Sequence, residues 1–159
     1  MILRRLALSD VPAMHAIFAD AEAMKYWSRL PHSDVAETEA WVAKTIASVE
    51  AGEADDYAVE EEGALVGRVG LWRSNEIGLI FSPAVWGKGV ARAATLALIE
   101  RARARGVEQI MADIDPRNER VARFLHKLGF RKTGSAKNTY RLGDKWTDSD
   151  YLVLDLPPA

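Results

Sequence analysis

Three groups of residues in this chain have the types and spacing that chemistry requires, and the first is a glycine-rich turn. Gly87-Lys88-Gly89 follows a short apolar run at residues 77–81 and precedes an Ala/Leu-rich stretch from about residue 90 to 105. The apolar run predicts a buried strand, which Pro83 ends, and the stretch predicts a helix. The first N–H groups of a helix have no partner within the helix, and the helix dipole adds partial positive charge there. The combination therefore predicts a site for a phosphorylated ligand.

The turn does not match two other phosphate-binding patterns. It lacks the Gly-Lys-Ser/Thr ending of a Walker loop. In the dinucleotide-binding fingerprint a third glycine lets the helix pack closely against the strand, and Arg92 occupies that position here.

Two carboxylates form the second group. Asp113 interrupts an otherwise apolar predicted strand, where alternation places it on one face with Met111 and Asp115. A carboxylate in a strand needs a partner, water or a chemical task. Glu76 immediately precedes the predicted strand at 77–81. Each is a candidate general base, acting directly or through water. The alternatives are a structural hydrogen bond for Asp113 and a solvated strand end for Glu76.

The third group is aromatic. Three of the five tryptophans, Trp27, Trp72 and Trp146, fall in an irregular segment, at a strand end and in the last predicted connection. Together with Asp148, these rings would suit a cationic amine flanked by apolar groups. His32, in the same irregular segment as Trp27, is a further candidate for acceptor binding. Ordinary packing under long loops is the alternative for all of these residues.

Composition limits the remaining possibilities. A chain of 159 residues with 48% hydrophobic and 28% charged residues predicts one globular domain, residues 1–159. A net charge of −2 disfavours nucleic acid and anionic membrane surfaces as partners. There is no cysteine, and the three histidines show no metal-ligand spacing, so neither a thiolate nor a metal site is expected. No signal peptide or apolar span is evident, so we expect a cytoplasmic protein.

The order of predicted elements is one strand, two helices, three antiparallel strands, a helix, a strand, a helix and two strands. This order predicts a mixed α/β domain with a mainly antiparallel sheet and one parallel pair around residues 77–115. The predicted helices cover about 9–20, 33–49, 90–105 and 118–128, and the predicted strands cover 2–6, 57–60, 64–72, 77–81, 107–115, 130–135 and 151–156.

At this point the chain resembles the GNAT superfamily of acyl-coenzyme A-dependent N-acetyltransferases, and most of all the branch related to the ribosomal-protein N-terminal acetyltransferases. The resemblance implies a fold of about seven strands and four helices with a splayed parallel pair. It also implies acetyl-coenzyme A as co-substrate and, commonly, a homodimer. The matching motifs are Leu3-Arg4-Arg5-Leu6, Trp86-Gly-Lys-Gly-Val-Ala91, Asp115-Pro-Arg-Asn118, Lys127-Leu-Gly-Phe130 and Trp146-Thr-Asp148.

The resemblance places coenzyme A between the predicted strands at 77–81 and 107–115. It implies that the pantetheine pairs with the backbone of Ile80, Phe81 and Ser82, and that the pyrophosphate accepts N–H groups from Lys88 to Arg92. The implied cofactor-binding residues are Ile80, Phe81, Ser82, Trp86, Gly87, Lys88, Gly89, Val90, Ala91, Arg92 and Asn118.

Two positions depart from the family pattern. Val121 replaces a frequent serine, and Leu125 replaces the tyrosine that serves many members as general acid. The sequence therefore predicts acetyl transfer to a primary amine by direct attack in a ternary complex, without that acid. The amine is either a protein N-terminal α-amine or a small-molecule amine. A coenzyme A-binding sensor that has lost catalysis is the alternative from another class.

Overall fold

A single seven-stranded sheet organises the molecule. The computed structural model describes residues 1–73 and 75–158, and within them the strands lie in the order β1-β2-β3-β4-β5-β7-β6, accompanied by four α-helices. The mixed α/β fold with a mainly antiparallel sheet is thereby confirmed. The elements are β1 (Ile2–Arg4), α1 (Val11–Phe18), α2 (Val35–Glu50), β2 (Ala54–Glu61), β3 (Ala64–Trp72), β4 (Glu76–Phe81), α3 (Val90–Ala104), β5 (Gln109–Ile114), α4 (Glu119–Lys127), β6 (Arg131–Leu142) and β7 (Lys145–Asp155).

The start of α2 and the two ends of α3 follow signals in the sequence. Asp34 caps α2 by accepting the Ala36 N–H at 2.9 Å, and the Glu37 carboxylate accepts the Ser33 N–H at 2.9 Å. Helix α3 begins at Gly89 and is followed by Gly106, which has a φ of 82°. Glycine adopts this left-handed conformation without the steric cost of a Cβ.

Each face of the sheet is covered by one pair of helices. On the α3–α4 face, strand residues such as Val69, Leu71 and Ile110 pack against Leu98 and Leu125. The α1–α2 face is covered more unevenly. Its core cluster is built from Leu6, Val11, Met14, Ile17, Phe18, Met24, Val42, Ala58 and Ile80. Because none of these residues belongs to β5, β6 or β7, that end of the α1–α2 face can hold polar side chains.

Strands β4 and β5 form the parallel pair, and they are joined at a single point. Glu76 pairs with Met111, and the Met111 N–H donates to the Asn75 carbonyl at 2.8 Å. By contrast, β3 and β4 share six register pairs, as do β5 and β7. The two strands therefore diverge towards their C-terminal ends, as the resemblance implied. We call this opening the β4–β5 seam.

The last two strands are longer than the sequence predicted. Residues 131–155 form a hairpin of 12 and 11 residues instead of two short strands at 130–135 and 151–156. The central part of this segment is polar, so it lacks the apolar alternation that indicates a strand, and its stability comes from pairing across the Gly143 turn. Trp146 and Asp148 consequently lie on β7 and not in a connection.

None of the helices formed by the described residues is long and apolar enough to span a bilayer.

Candidate functional site

The glycine turn exposes backbone at the start of α3. Gly87 and Gly89 have φ values of 75° and 81°, and no atom lies within 4 Å of the position that a Cβ would occupy on either residue. Among residues 1–73 and 75–158, no side chain caps the helix at Gly89. The left-handed backbone explains why glycine is needed here, and the open surroundings leave room for a ligand.

Four consecutive N–H groups at this helix start have no acceptor among the described residues, those of Gly89, Val90, Ala91 and Arg92. The first N–H used by the helix is that of Ala93, which donates to the Gly89 carbonyl at 3.0 Å. The Lys88 N–H donates to the Val85 carbonyl at 3.3 Å, so it is not one of the free donors that the resemblance implied. The Lys88 and Arg92 side chains are exposed and add positive charge.

Trp86 and Asn118 fix the two sides of this opening. The Trp86 indole N–H donates to the Phe81 carbonyl at 3.0 Å, and the Arg120 guanidinium lies 4.6 Å from the centre of the indole ring. This stack connects the glycine turn to α4. Asn118 caps α4, because its side-chain oxygen accepts the Val121 N–H at 3.2 Å. Its side-chain NH₂ has no acceptor among the described residues.

The backbone groups of β4 alternate between β3 and the seam. The Ser82 N–H donates to the Val66 carbonyl at 2.8 Å, so by alternation Ile80 and Ser82 direct their backbone groups to β3. Leu79 and Phe81 direct theirs to the β4–β5 seam. Of the three residues that the resemblance implied for pantetheine pairing, only Phe81 therefore faces the seam, and Leu79 is a residue that sequence reasoning missed.

The two candidate bases lie on the α1–α2 face, on either side of the seam. The Tyr140 hydroxyl donates to the Asp113 carboxylate at 2.8 Å. The pKa of Glu76 is raised, first because the carboxyl is partly buried and second because the negative charge of Asp113 is close. A carboxylate with a raised pKa is better suited than an ordinary one to accept a proton near neutral pH.

Tyr140 was not identified from the sequence. It reaches Asp113 because the register of β6 shifts between Ala136 and Tyr140, with Asn138 in the left-handed region at a φ of 52°. Burial and the neighbouring Asp113 raise the pKa of Tyr140 well above its usual range, so the phenol keeps its proton. The polar sequence around a bulge gives little periodic signal, and a contact between β6 and β5 across β7 cannot be derived from spacing.

Only one of the three tryptophan candidates lies beside the carboxylates. Trp72 is 40% exposed and is the register partner of Glu76. Trp146 is 54% exposed, but alternation places it and Asp148 on the opposite face of β7 from Tyr151, the register partner of Asp113. Asp148 is bound instead by Lys137 at 3.2 Å and by the N–H of Asn138 at 2.9 Å.

Trp27 and His32 pack between α1 and α2. Their rings lie 5.1 Å and 4.8 Å from that of Phe18, and the His32 Nδ1 lies 2.7 Å from the hydroxyl oxygen of Thr38. Burial lowers the pKa of His32, and the positive charges of His15 and Arg29 act in the same direction while Glu37 opposes them. Both candidates therefore hold the segment between α1 and α2 in place, and no observed contact brings them to Glu76 or Asp113.

That segment nevertheless lies near the C-terminal end of β5, because Arg117, which follows β5, lies 5.6 Å from the ring centre of Tyr26. Within residues 1–73 and 75–158, no group of three His, Asp or Glu side chains is arranged to hold a metal ion. The site thus combines free amides and basic side chains that complement an anionic group, a seam with unpaired backbone, and two carboxylates, Glu76 and Asp113, on the strands beside the seam.

The chain is similar to known acetyltransferases over most of its length. The family model for the acetyltransferase (GNAT) domain matches residues 1–131. An L-methionine sulfoximine/L-methionine sulfone acetyltransferase of Pseudomonas aeruginosa PAO1 is 28% identical, with 99% of this chain and 95% of the relative aligned. The spermidine N(1)-acetyltransferase of Escherichia coli K12 is 27% identical, with 96% and 84% aligned.

Among solved structures, the fold is similar to that of a Salmonella typhimurium acetyl transferase that modifies the N-terminal serine of the 50S ribosomal subunit protein L7/L12. The TM-score is 0.88, and 98% of this chain and 94% of that chain are covered. The identity is 18%, so this similarity concerns the fold alone.

Proposed function

The chain belongs to the GNAT acetyltransferase family, with acetyl-coenzyme A as co-substrate, and from this premise we propose that it transfers the acetyl group directly to a primary amine in a ternary complex. The amine is a peptide α-amine or the amine of a small molecule. The observation that supports the proposal best is the Glu76–Asp113 carboxylate pair beside the seam, on a strand, β4, that is followed by the glycine turn with its four free amides.

We take residues 1–159 as one catalytic domain. The family model ends at residue 131, but β7 shares six register pairs with β5, so the terminal hairpin is part of the same sheet. The hairpin also supplies Tyr140 to the site.

The residues present fit coenzyme A. A diphosphate would find hydrogen-bond donors in the four amides that have no acceptor among the described residues, and positive charge in the exposed Lys88 and Arg92. It would also find space, because no described atom lies near the Cβ positions of Gly87 and Gly89. The N–H of Phe81 and the backbone of Leu79 face the seam and are placed to bind an extended amide-containing arm. When bound, the thioester supplies an activated acetyl group and a thiol leaving group.

Glu76 is the residue best placed to accept the amine proton. An ammonium cannot attack a carbonyl, so the amine must first lose a proton, and a carboxylate with a raised pKa accepts it at less cost. An α-amine has a pKa of about 8, whereas an ordinary lysine at about 10.4 would need several kcal/mol to be neutral at pH 7. A carboxylate base therefore suits α-amines and activated small amines.

Neither Leu125 nor Tyr140 supplies an acid for the leaving sulfur. Leu125 stands where many family members have a tyrosine, and Tyr140 is a poor donor because its pKa is raised and its hydroxyl is bound to Asp113. A thiol with a pKa of about 8.5 leaves as a thiolate at modest cost, so this absence need not prevent turnover.

Two measurements test the proposal. Equilibrium titration should detect acetyl-coenzyme A binding, and free-thiol release should identify an acceptor in a panel of peptides starting with Ser, Ala or Leu, free amino acids and diamines. Binding without turnover on any amine would favour the sensor alternative that Val121 and Leu125 motivate. Absence of binding up to millimolar ligand would overturn both. The homodimer implied by the resemblance stays a prediction, which light scattering tests.

A further inference from the structure

A buried arginine lies on the same face of the sheet as the two carboxylates, and neither the resemblance nor the proposed reaction gives it a role. Arg68 is on β3, where alternation places it with Gly70 and Trp72, and it is 6% exposed. The ring of Trp41, on α2, covers it with its centre 5.4 Å from the guanidinium carbon. A charge this deeply buried requires partners.

One partner is Asp56, which uses two of the three guanidinium nitrogens. The Arg68 Nε donates to Asp56 Oδ1 at 3.3 Å, and Nη2 makes a short hydrogen bond to Asp56 Oδ2. The third nitrogen, Nη1, has no acceptor among the described residues. Within that part of the chain Nη1 is not among the fully covered side-chain polar atoms that lack a hydrogen bond, so some of its surface is still accessible.

Nη1 points over Gly78 on β4. A Cβ at Gly78 would lie 2.7 Å from Nη1, so only glycine lets the guanidinium approach this strand. Glu76 on β4 pairs with Met111 on β5, and the two strands are parallel. Two residues further along each strand, Gly78 therefore lies opposite Asp113 across the seam. Gly78 has no side chain, so the space above it is open. The two free N–H donors of Arg68 Nη1 lie on one side of this space, and the carboxylates of Asp113 and Glu76 lie on the other.

This arrangement distinguishes between classes of acceptor. A diamine would satisfy both carboxylates but would leave Nη1 unpaired and facing a positive charge. A peptide N-terminus has a neutral amide where the carboxylate of a free amino acid would be. A zwitterion satisfies both sides, since its ammonium group meets the carboxylates and its carboxylate meets the guanidinium.

We propose that Arg68 Nη1 binds the carboxylate of the acceptor, and that the acceptor is a free α-amino acid or an analogue in which amine and carboxylate share one carbon. This inference rests on the proposed function and names the substrate class of the same site. The Arg68–Asp56 pair is formed before any ligand binds, so the guanidinium is already oriented, and Asp56 balances its charge.

The test compares acceptors that differ only in the carboxylate. The twenty common L-amino acids are screened by thiol release. The best of them is then compared with its carboxamide and with its decarboxylated amine by kcat/KM. We expect the acid to exceed the amide by about 10- to 100-fold, the factor that a hydrogen bond to a charged group contributes. The carboxamide has the lower amine pKa, so amine reactivity alone would favour the amide.

Two variants then assign the preference to Arg68. Arg68→Lys keeps a positive charge beside Asp56 but loses the planar fork. Gly78→Ala adds a methyl carbon that would lie 2.7 Å from Nη1, so the guanidinium would have to shift. Both should bring the acid-to-amide ratio close to one while the Kd for acetyl-coenzyme A stays unchanged. Gly134→Ala is the matched control, because no atom lies within 4 Å of its added Cβ.

Each other outcome overturns the inference. Equal rates for acid and amide, a higher rate with a diamine or peptide, or an unchanged ratio in both variants would remove Arg68 from acceptor binding but leave acetyl transfer intact. If no amine is acetylated, the coenzyme A-loaded protein is titrated with the same three compounds, and failure of the acid to bind most tightly refutes the role. A protein that does not bind coenzyme A would refute the proposed function as well.

Discussion

The glycine turn and the carboxylate face, which are the two halves of the proposed site, are built in different ways. The turn consists of backbone from consecutive residues, the free amides of 89–92, held open by glycines at 87 and 89. The carboxylate face consists of side chains from four strands, with Arg68 on β3, Glu76 on β4, Asp113 on β5 and Tyr140 on β6. The first half depends on local conformation and the second on the register of the whole sheet.

This difference predicts separable effects. Changes in the turn should weaken cofactor binding without altering which amine is used, because the donors there are main-chain groups. Changes on the carboxylate face should alter turnover, its pH dependence or acceptor choice while the cofactor still binds. A single substitution that affects both halves equally would show that the comparison is wrong.

The largest effect is expected at Glu76. Glu76→Gln should lower kcat/KM by about 10²- to 10⁴-fold, the range for loss of a general base, with an unchanged Kd for acetyl-coenzyme A. In the unmodified protein, activity should fall as the pH drops through the raised pKa of Glu76, because the base must be ionised. Measurement of kcat/KM against pH should show this acidic limb, and it should be absent from any residual activity of Glu76→Gln.

Asp113→Asn, compared with Glu76→Gln, decides which of the two carboxylates is the base. It removes the neighbouring negative charge that helps to raise the pKa of Glu76, so the acidic limb should move to lower pH while substantial activity remains. A larger loss in Asp113→Asn than in Glu76→Gln would instead make Asp113 the base.

A smaller effect is expected in the turn. Gly89→Ala forces a residue with a Cβ into a left-handed conformation, at a cost of about 1–2 kcal/mol, or shifts the amides that follow. We expect acetyl-coenzyme A to bind about 10-fold more weakly in calorimetry, with the acid-to-amide preference unchanged. Gly143→Ala, at a hairpin tip with a φ of 65° and no atom near its Cβ, is the control for strain alone. Equal loss of affinity in both variants would contradict a role for the turn.

Tyr140→Phe should have a still smaller effect. It deletes the hydroxyl that donates to Asp113, and the net contribution of such a hydrogen bond to a charged group is about 1.5–3 kcal/mol at most in a buried setting. Because Tyr140 is partly exposed and water can replace its hydroxyl, we expect a several-fold fall in kcat/KM and a shifted acidic limb. A fall as large as that of Glu76→Gln, with the limb lost, would mean that Tyr140 itself transfers a proton.

The smallest effect is expected for His32, between α1 and α2, and it concerns the free energy of unfolding. The folded-state pKa of His32 lies below its ordinary value, so the unfolded chain binds this proton more readily. The contribution of His32 to the free energy of unfolding is therefore complete above about pH 6.5 and is lost as the pH falls below it. Denaturant unfolding between pH 7 and 5 should show a slope that His32→Asn reduces and that His126→Gln, on the exposed side of α4, leaves unchanged.

The two halves also differ in how far the sequence revealed them. The turn itself was predictable because the strand, glycine and helix signals are contiguous. The structure differs from the expectation in two backbone details: the Lys88 N–H donates to the Val85 carbonyl, and Leu79 rather than Ile80 or Ser82 joins Phe81 in facing the seam. Strand alternation and turn hydrogen bonds decide these details, and both depend on the neighbouring strand.

The carboxylate face was predictable only in part. Glu76 and Asp113 stood out because they are carboxylates in apolar strands. Arg68 was not recognised, because an arginine in a strand is ordinary until its burial and its position over Gly78 are known. Trp146 was expected beside the acceptor and lies on the other side of β7, because the length of the terminal hairpin has no periodic sequence signal.

The single bridge between β4 and β5 has a mechanical consequence. Strands β1–β4 and strands β5–β7 form two half-sheets that share one register pair among the described residues, so their mutual alignment depends on the helices that pack across them. A ligand arm lying along the unpaired edges would act as an eighth strand and complete the ladder. Occupancy should therefore stiffen the whole molecule, and amide hydrogen exchange at Leu79 and Phe81 should report it directly.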